Sequence, residues 1–135
     1  MEDVRLIEVK EEIMADNNQV AAGVRERLRK EKTMLLNLMS SPGSGKTSLI
    51  LRTVEGLKGG VKLGVIEADI DSTVDAQKVA ARGITAIQLR TGGFCHLDAT
   101  MVTHGIDALA AHDFDLIIIE NVGNLVCPAE FDTGA

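Results

Sequence analysis

The chain has no tryptophan and no tyrosine, and phenylalanine occurs only three times. A core built with so few aromatic rings must be aliphatic, which suits buried parallel strands and the helices laid on them. Positive charge is also scarce. The net charge is −6 and there is no long basic run, which argues against a nucleic-acid partner. No apolar run approaches the roughly 20 residues needed to span a bilayer, so no membrane partner is expected. The N-terminal stretch MEDVRLIEVKEE lacks the apolar centre of a secretory signal. Two cysteines without such a signal read as reduced thiols, and the expected location is cytoplasmic. What remains is a balanced composition over 135 residues, 45% apolar and 25% charged, long enough for a real core.

Along the chain, apolar and polar periods alternate. Residues 8–31 carry Val9, Ile13, Val20, Val24 and Leu28 within a stripe about 100° wide, as on an amphipathic helix. Asp16 and Asn17 interrupt the stripe, so a bend or break is expected there. Then follow the strand-like run TMLLNLM, a glycine turn, a helix over 48–58 closed by Gly59 and Gly60, and a second strand VKLGVIE. DSTVDAQKVAARG reads as a capped helix, ITAIQL as a third strand, the stretch to about His112 as a helix, FDLIIIE as a fourth strand, and NVGNLVCPAEFDTGA as a closing loop. Strand and helix alternating in this way predict a mostly parallel α/β sheet with helices on both faces. The expected division is an N-terminal amphipathic helix over 1–32 and a phosphate-loop domain over 33–135.

The strongest local signal is SSPGSGKT, residues 40–47, between a strand and a helix. Gly43 and Gly45 let the backbone curl so that successive N–H groups, with Ser44 and Ser48 in the same turn, face phosphate oxygens. The helix that follows adds the positive end of its dipole. Lys46 can reach the β- and γ-phosphates, and the Thr47 hydroxyl can ligate Mg²⁺. Ser40 stands where the usual pattern begins with glycine.

Such a loop needs acidic partners. Glu120 ends a buried strand, facing Mg²⁺ or its waters, and Gly123 is placed to donate its N–H to a γ-phosphate and to move when that phosphate leaves. Asp69, Asp71 and Asp75 follow the second strand, and any of them could hold Mg²⁺ or orient the attacking water. Asp75, three residues after Ser72, also fits a helix cap. The candidate catalytic set is Lys46, Asp75 and Glu120.

TGGFCHLDA sets one of the two cysteines, Cys95, directly beside one of the three histidines, His96. Thiolate and imidazole suit Ni²⁺ and Zn²⁺. From the residues alone, metal ligation, two inert thiols and a Cys95–Cys127 disulfide all remain open. His104 and His112 lie farther along; His104 reads as a surface histidine or an outer ligand.

NLMSSPGSGKTSL, DIDSTVDAQKV, GGFCHLDA and IIIENVGNLVCPAEFD, in this order, resemble the HypB family, the nickel-incorporation GTPases of nickel–iron hydrogenase maturation. The resemblance covers nearly the whole chain, with CHLDA and ENVGNLVCP its most specific elements. It implies a P-loop NTPase fold of the SIMIBI-class G-domain type, with GTP or GDP and Mg²⁺ as cofactors. It also implies Cys95, His96 and Cys127 as ligands for Ni²⁺ or Zn²⁺, and a GTP-dependent homodimer. Its partners would be a hydrogenase large subunit and an accessory nickel chaperone.

The sequence departs from that family in three places. No N-terminal Cys-x-x-Cys or histidine-rich tract is present, and Thr100 occupies a position where some relatives carry a further histidine. The Asn-Lys-x-Asp motif that reads guanine does not occur before Ala135. The expectation is a G domain truncated at its C-terminus, from which guanine and adenine specificity cannot be told apart. A GTP-hydrolysing metallochaperone switch is the leading reading. A metal-binding module gated by nucleotide with negligible turnover, and a related ATPase, are the alternatives.

Overall fold

In the computed structural model the described residues are 9–39, 45–57, 59–69, 74–91, 96–109, 114–123 and 127–135. Four short runs of leucine and β-branched residues form one parallel sheet: β1 (Met34–Leu38), β2 (Leu63–Asp69), β3 (Thr85–Arg90) and β4 (Leu116–Glu120), in the order β1-β4-β2-β3. The inner strands are apolar on both faces, with residues 63–68 and 117–120 all buried. That is the mark of a parallel sheet covered on both sides.

The covering helices are α1 (Val9–Glu31), α2 (Lys46–Leu57), α3 (Val74–Ala80) and α4 (Ala99–Ala108); α5 (Cys127–Glu130) is a single turn. On one face Val24 and Leu28 of α1 and Val102 and Ile106 of α4 pack against Ile66, Ile117 and Ile119. On the other, Ile50 and Val54 of α2 and Val79 of α3 pack against Val65 and Ile118. Each such side chain removed from water contributes about 1.5–3 kcal/mol. The expected doubly covered parallel sheet is the one observed.

Several expected boundaries shift. α1 runs unbroken through Asp16 and Asn17. Asn17 does not break the helix because it belongs to the buried line Asn17, Ala21, Val24 and Leu28, where its amide is bonded on both sides. Val20, expected on that line, is exposed. α2 begins at Lys46, two residues before the expected start. α4 ends at Ala108 with Leu109 as its cap, short of His112, which lies outside the described residues. The closing segment, read as a loop, contains the helical turn α5.

The register pairs Leu38 with Glu120. The end of β1, which feeds the phosphate-loop segment, therefore lies directly beside the end of β4. Ligands of open α/β sheets bind outside the carboxyl ends of the strands, where these two ends meet.

Candidate functional site

Gly45 has φ 91°, a left-handed conformation that favours glycine, and it turns the chain directly into α2. Lys46 and Thr47 are thus the first two residues of that helix, where unpaired N–H groups and the dipole favour an anion. Ser48 follows, exposed. Gly43 and Ser44 lie outside the described residues. The Thr47 hydroxyl donates to Glu120 Oε1 at 2.7 Å. Glu120 is 5% exposed, and its Oε2 is buried with no hydrogen-bond partner among the described residues. A buried carboxylate is costly unless a cation or donor compensates it. A carboxylate oxygen and a hydroxyl oxygen side by side form the hard donor set that suits Mg²⁺.

The chain just beyond Glu120 is held firmly. Asn121 N–H donates to the Leu38 carbonyl at 3.0 Å, and its side-chain Nδ2 donates to Asn37 Oδ1 at 3.1 Å. Asn121 Oδ1 in turn accepts from Val122 N–H at 2.8 Å. Gly123, half-buried, is the next residue.

Asp69 ends β2 and Asp75 is the second residue of α3; their side chains, and the whole of Asp71 and Ser72, lie outside the described residues. A further acid, outside the candidate set, lies beside Glu120. Glu67 pairs with Glu120 across β2 and β4 and is 2% exposed. Its signal was present as the first of two acids in the run GVIEAD.

On the same end of the sheet, His96 precedes α4 by three residues and is not helical. Asp98 caps that helix by accepting from Met101 N–H at 2.8 Å. The His96 ring stacks on Phe131, centroids 3.9 Å apart and planes within 7°. Phe131 follows α5 directly, and Cys127 is the first residue of α5. The stack thus joins His96, ahead of α4, to the segment that follows α5. Cys95 and the Cys127 side chain lie outside the described residues, and among the described residues no three candidate ligand side chains converge. His104 is exposed on α4. Nothing in the spacing of the sequence announces the Phe131 contact.

The segment after α5 is anchored to α1. Asn17 Nδ2 donates to the Asp132 carbonyl at 2.8 Å. Arg25 forks onto Asp132, Nη1 to Oδ2 at 2.7 Å and Nη2 to Oδ1 at 2.5 Å, and also reaches the Ala135 carbonyl. The hydrogen-bonded guanidinium, aided by the Gly134 N–H, holds the Asp132 carboxyl below the usual carboxylate range against the opposing effect of burial. Gly134, at φ 91°, lies so close to α1 that a Cβ there would come within 2.6 Å of Val24.

A parallel sheet covered on both faces, with a glycine turn delivering lysine and threonine to a helix N-terminus beside a buried acid, defines a nucleotide-binding domain of the P-loop NTPase type. The chain belongs to the CobW/HypB/UreG family, whose nucleotide-binding domain model matches residues 34–133. It is 46% identical over 134 residues to the hydrogenase maturation factor HypB of Rhizobium leguminosarum, covering 99% of this chain and 45% of that protein. Crystal structures of two HypB proteins are similar as well. The one from Archaeoglobus fulgidus matches with a TM-score of 0.80 and 45% identity, over 89% of this chain and 58% of that one. The one from Helicobacter pylori, in complex with nickel, matches with a TM-score of 0.82 and 41% identity, over 89% of this chain and 57% of that one. The chain thus spans about half the length of the HypB proteins it matches. Among the described residues no helix is long and apolar enough to cross a membrane.

Proposed function

We propose that the protein is a GTP-hydrolysing metallochaperone switch of the cytoplasm that carries nickel toward nickel–iron hydrogenase. The observation that carries the nucleotide half is the Thr47–Glu120 bond with the buried second oxygen of Glu120 beside it. Thr47 and Glu120 would hold magnesium, with Asp69 as a further acid near the same strand ends. Bound magnesium supplies neutralisation of the charge that develops on the phosphate oxygens. Lys46 and the N–H groups of residues 43–48 bind the β- and γ-phosphates and stabilise the transition state by position and charge. Asp75 orients the attacking water, and Gly123 contacts the γ-phosphate through its N–H.

Nickel is the cargo, and zinc an alternative occupant of the same thiolate and imidazole ligands. Cys95, His96 and Cys127 supply three donors, one short of a four-coordinate ion. Sharing ligands across a two-fold axis completes the set and makes GTP-dependent dimerisation part of the metal site. The nickel-bound Helicobacter structure supports this choice of metal. A hydrogenase large subunit and an accessory nickel chaperone are the partners of such a carrier. The helix over 1–32 and the phosphate-loop region over 33–135 form the two parts of the chain in this reading.

Phosphate release at saturating GTP and at saturating ATP tests it. Turnover with GTP that is lost in Thr47→Ala supports the switch. Binding without turnover leaves only a nucleotide-gated metal module, and equal turnover of both nucleotides removes guanine specificity.

A further inference from the structure

One buried side chain touches both segments that carry the candidate nickel ligands, and it comes from neither of them. Asn17, 7% exposed on α1, accepts from the Ala99 N–H through Oδ1 at 2.8 Å. The same amide donates to the Asp132 carbonyl through Nδ2 at 2.8 Å. Ala99 lies three residues beyond His96, and Asp132 lies five beyond Cys127. The Ala99 N–H is one of the first N–H groups of α4, which the helix itself leaves unpaired. We infer that Asn17 is a positioning residue for the proposed nickel site: its amide sets the spacing between the segment from His96 into α4 and the segment that follows Cys127. The inference rests on the proposed ligand set.

Three features make this more than a local tie. Asparagine is the one residue type of its length that presents a donor and an acceptor from a single planar group, so one side chain satisfies two backbone groups of opposite kind. Its position is fixed by packing, because Ala21 and Val24 below it on α1 are buried and Gly134 lies against Val24. The stack of His96 on Phe131 links the same two segments at a second point, so the spacing is set from both ends. Outer-sphere groups of this kind tune metal affinity without touching the ion. Arg25 reinforces the Asp132 side of the tie only, through its fork to that carboxylate.

The arrangement also gives residues 120–132 two different ends. One is pinned at β4 and the nucleotide side by Glu120 and Asn121. The other is pinned to α1, which packs on the opposite face of the sheet from α2. Asn17 therefore acts on metal geometry with the phosphate site left intact.

The test compares the parent protein with Asn17→Ala, Asn17→Asp and Cys127→Ala. Nickel is titrated while the thiolate-to-nickel charge-transfer band is followed, and GDP affinity and the helical circular dichroism are measured in parallel. Asn17→Ala is expected to weaken nickel binding about tenfold, the lower range for an outer-sphere partner, with a shifted band and with GDP affinity unchanged. Asn17→Asp keeps an acceptor for the Ala99 N–H but turns a carboxylate oxygen onto the Asp132 carbonyl, so nickel binding weakens at least as far as in Asn17→Ala while the Ala99 bond is kept. It carries the test if the alanine variant does not fold. Faster hydrogen exchange at the Ala99 amide in Asn17→Ala than in Asn17→Asp reports the lost bond without any metal. Parent-like nickel affinity and an unshifted band in the Asn17 variants, with binding lost in Cys127→Ala, overturn this inference alone. Nickel binding untouched by Cys127→Ala overturns the ligand set beneath it as well.

Discussion

Thr47 and Glu120 are 73 positions apart in the chain, yet the threonine hydroxyl donates to the glutamate carboxylate at 2.7 Å. This bond joins the start of the phosphate-facing helix to the end of the central strand β4. It is possible because β1 and β4 are neighbours in register, so that Leu38 and Glu120 end side by side. The second oxygen of Glu120 is buried with no hydrogen-bond partner among the described residues, and the proposed magnesium site rests on it.

Removing the lysine of this site tests its anion half. Lys46→Ala deletes a charge-assisted contact worth roughly 1.5–3 kcal/mol. GTP affinity measured by calorimetry is expected to fall about tenfold or more. Unchanged affinity would mean that the phosphates bind elsewhere.

Replacing the acid tests the cation half. In Glu120→Gln the Thr47 hydroxyl still finds an acceptor, but the carboxylate charge proposed to attract magnesium is gone. The magnesium concentration needed for half-maximal GTP binding is expected to rise about tenfold, while the metal-free protein melts no lower than the parent. A variant that keeps the parent's magnesium dependence would remove Glu120 from the metal.

The doubly covered sheet was legible in the sequence because period and punctuation agreed: aliphatic runs of strand length alternate with amphipathic stretches closed by glycine. The phosphate loop was legible because its chemistry is local, confined to residues 40–47. Asn17 was misread because a polar residue on an apolar stripe looks like an interruption until its partners are known. Those partners, Ala99 and Asp132, are distant in sequence and are both backbone groups, which leave no mark in the residue pattern. The same is true of the His96–Phe131 stack. Glu67 was passed over because an acid inside a strand carries meaning only when the neighbouring strand places Glu120 beside it.

The Arg25–Asp132 fork gives a dependence on pH. The folded-state carboxyl titrates below its ordinary value, so the fork's contribution is present above the unfolded carboxylate range and is lost as pH falls through the lowered folded value. Asp132→Asn is therefore expected to melt below the parent at neutral pH, with the gap closing as pH drops below about 4. Both partners are partly exposed, so the gap is small, on the order of 1 kcal/mol or less, and narrows in salt. A gap that persists undiminished at low pH would assign the effect to packing.

Gly134 is the tightest point of the same anchor. Gly134→Ala places a Cβ against Val24 at a backbone conformation that L-residues rarely adopt. A loss of roughly 1–3 kcal/mol in unfolding free energy is expected from strain and overpacking together. Denaturant unfolding with an unchanged midpoint would show that residues 131–135 do not dock on α1 in solution.

The central claim is that nucleotide and metal are coupled through residues 120–127. Glu120 is bonded to Thr47 at the start of α2, Asn121 and Val122 are held by hydrogen bonds, half-buried Gly123 comes next, and Cys127 begins α5. Linkage makes any such coupling reciprocal, and about 1–3 kcal/mol, or roughly 5- to 150-fold, is typical. The most direct measurement is a nickel titration of the protein bound to GDP and again bound to a non-hydrolysable GTP analogue, each repeated with Gly123→Ala. A several-fold difference in nickel affinity between the two nucleotide states, reduced by Gly123→Ala, is the result predicted here. Equal nickel affinity in both states, with the metal site itself intact, would contradict the switch.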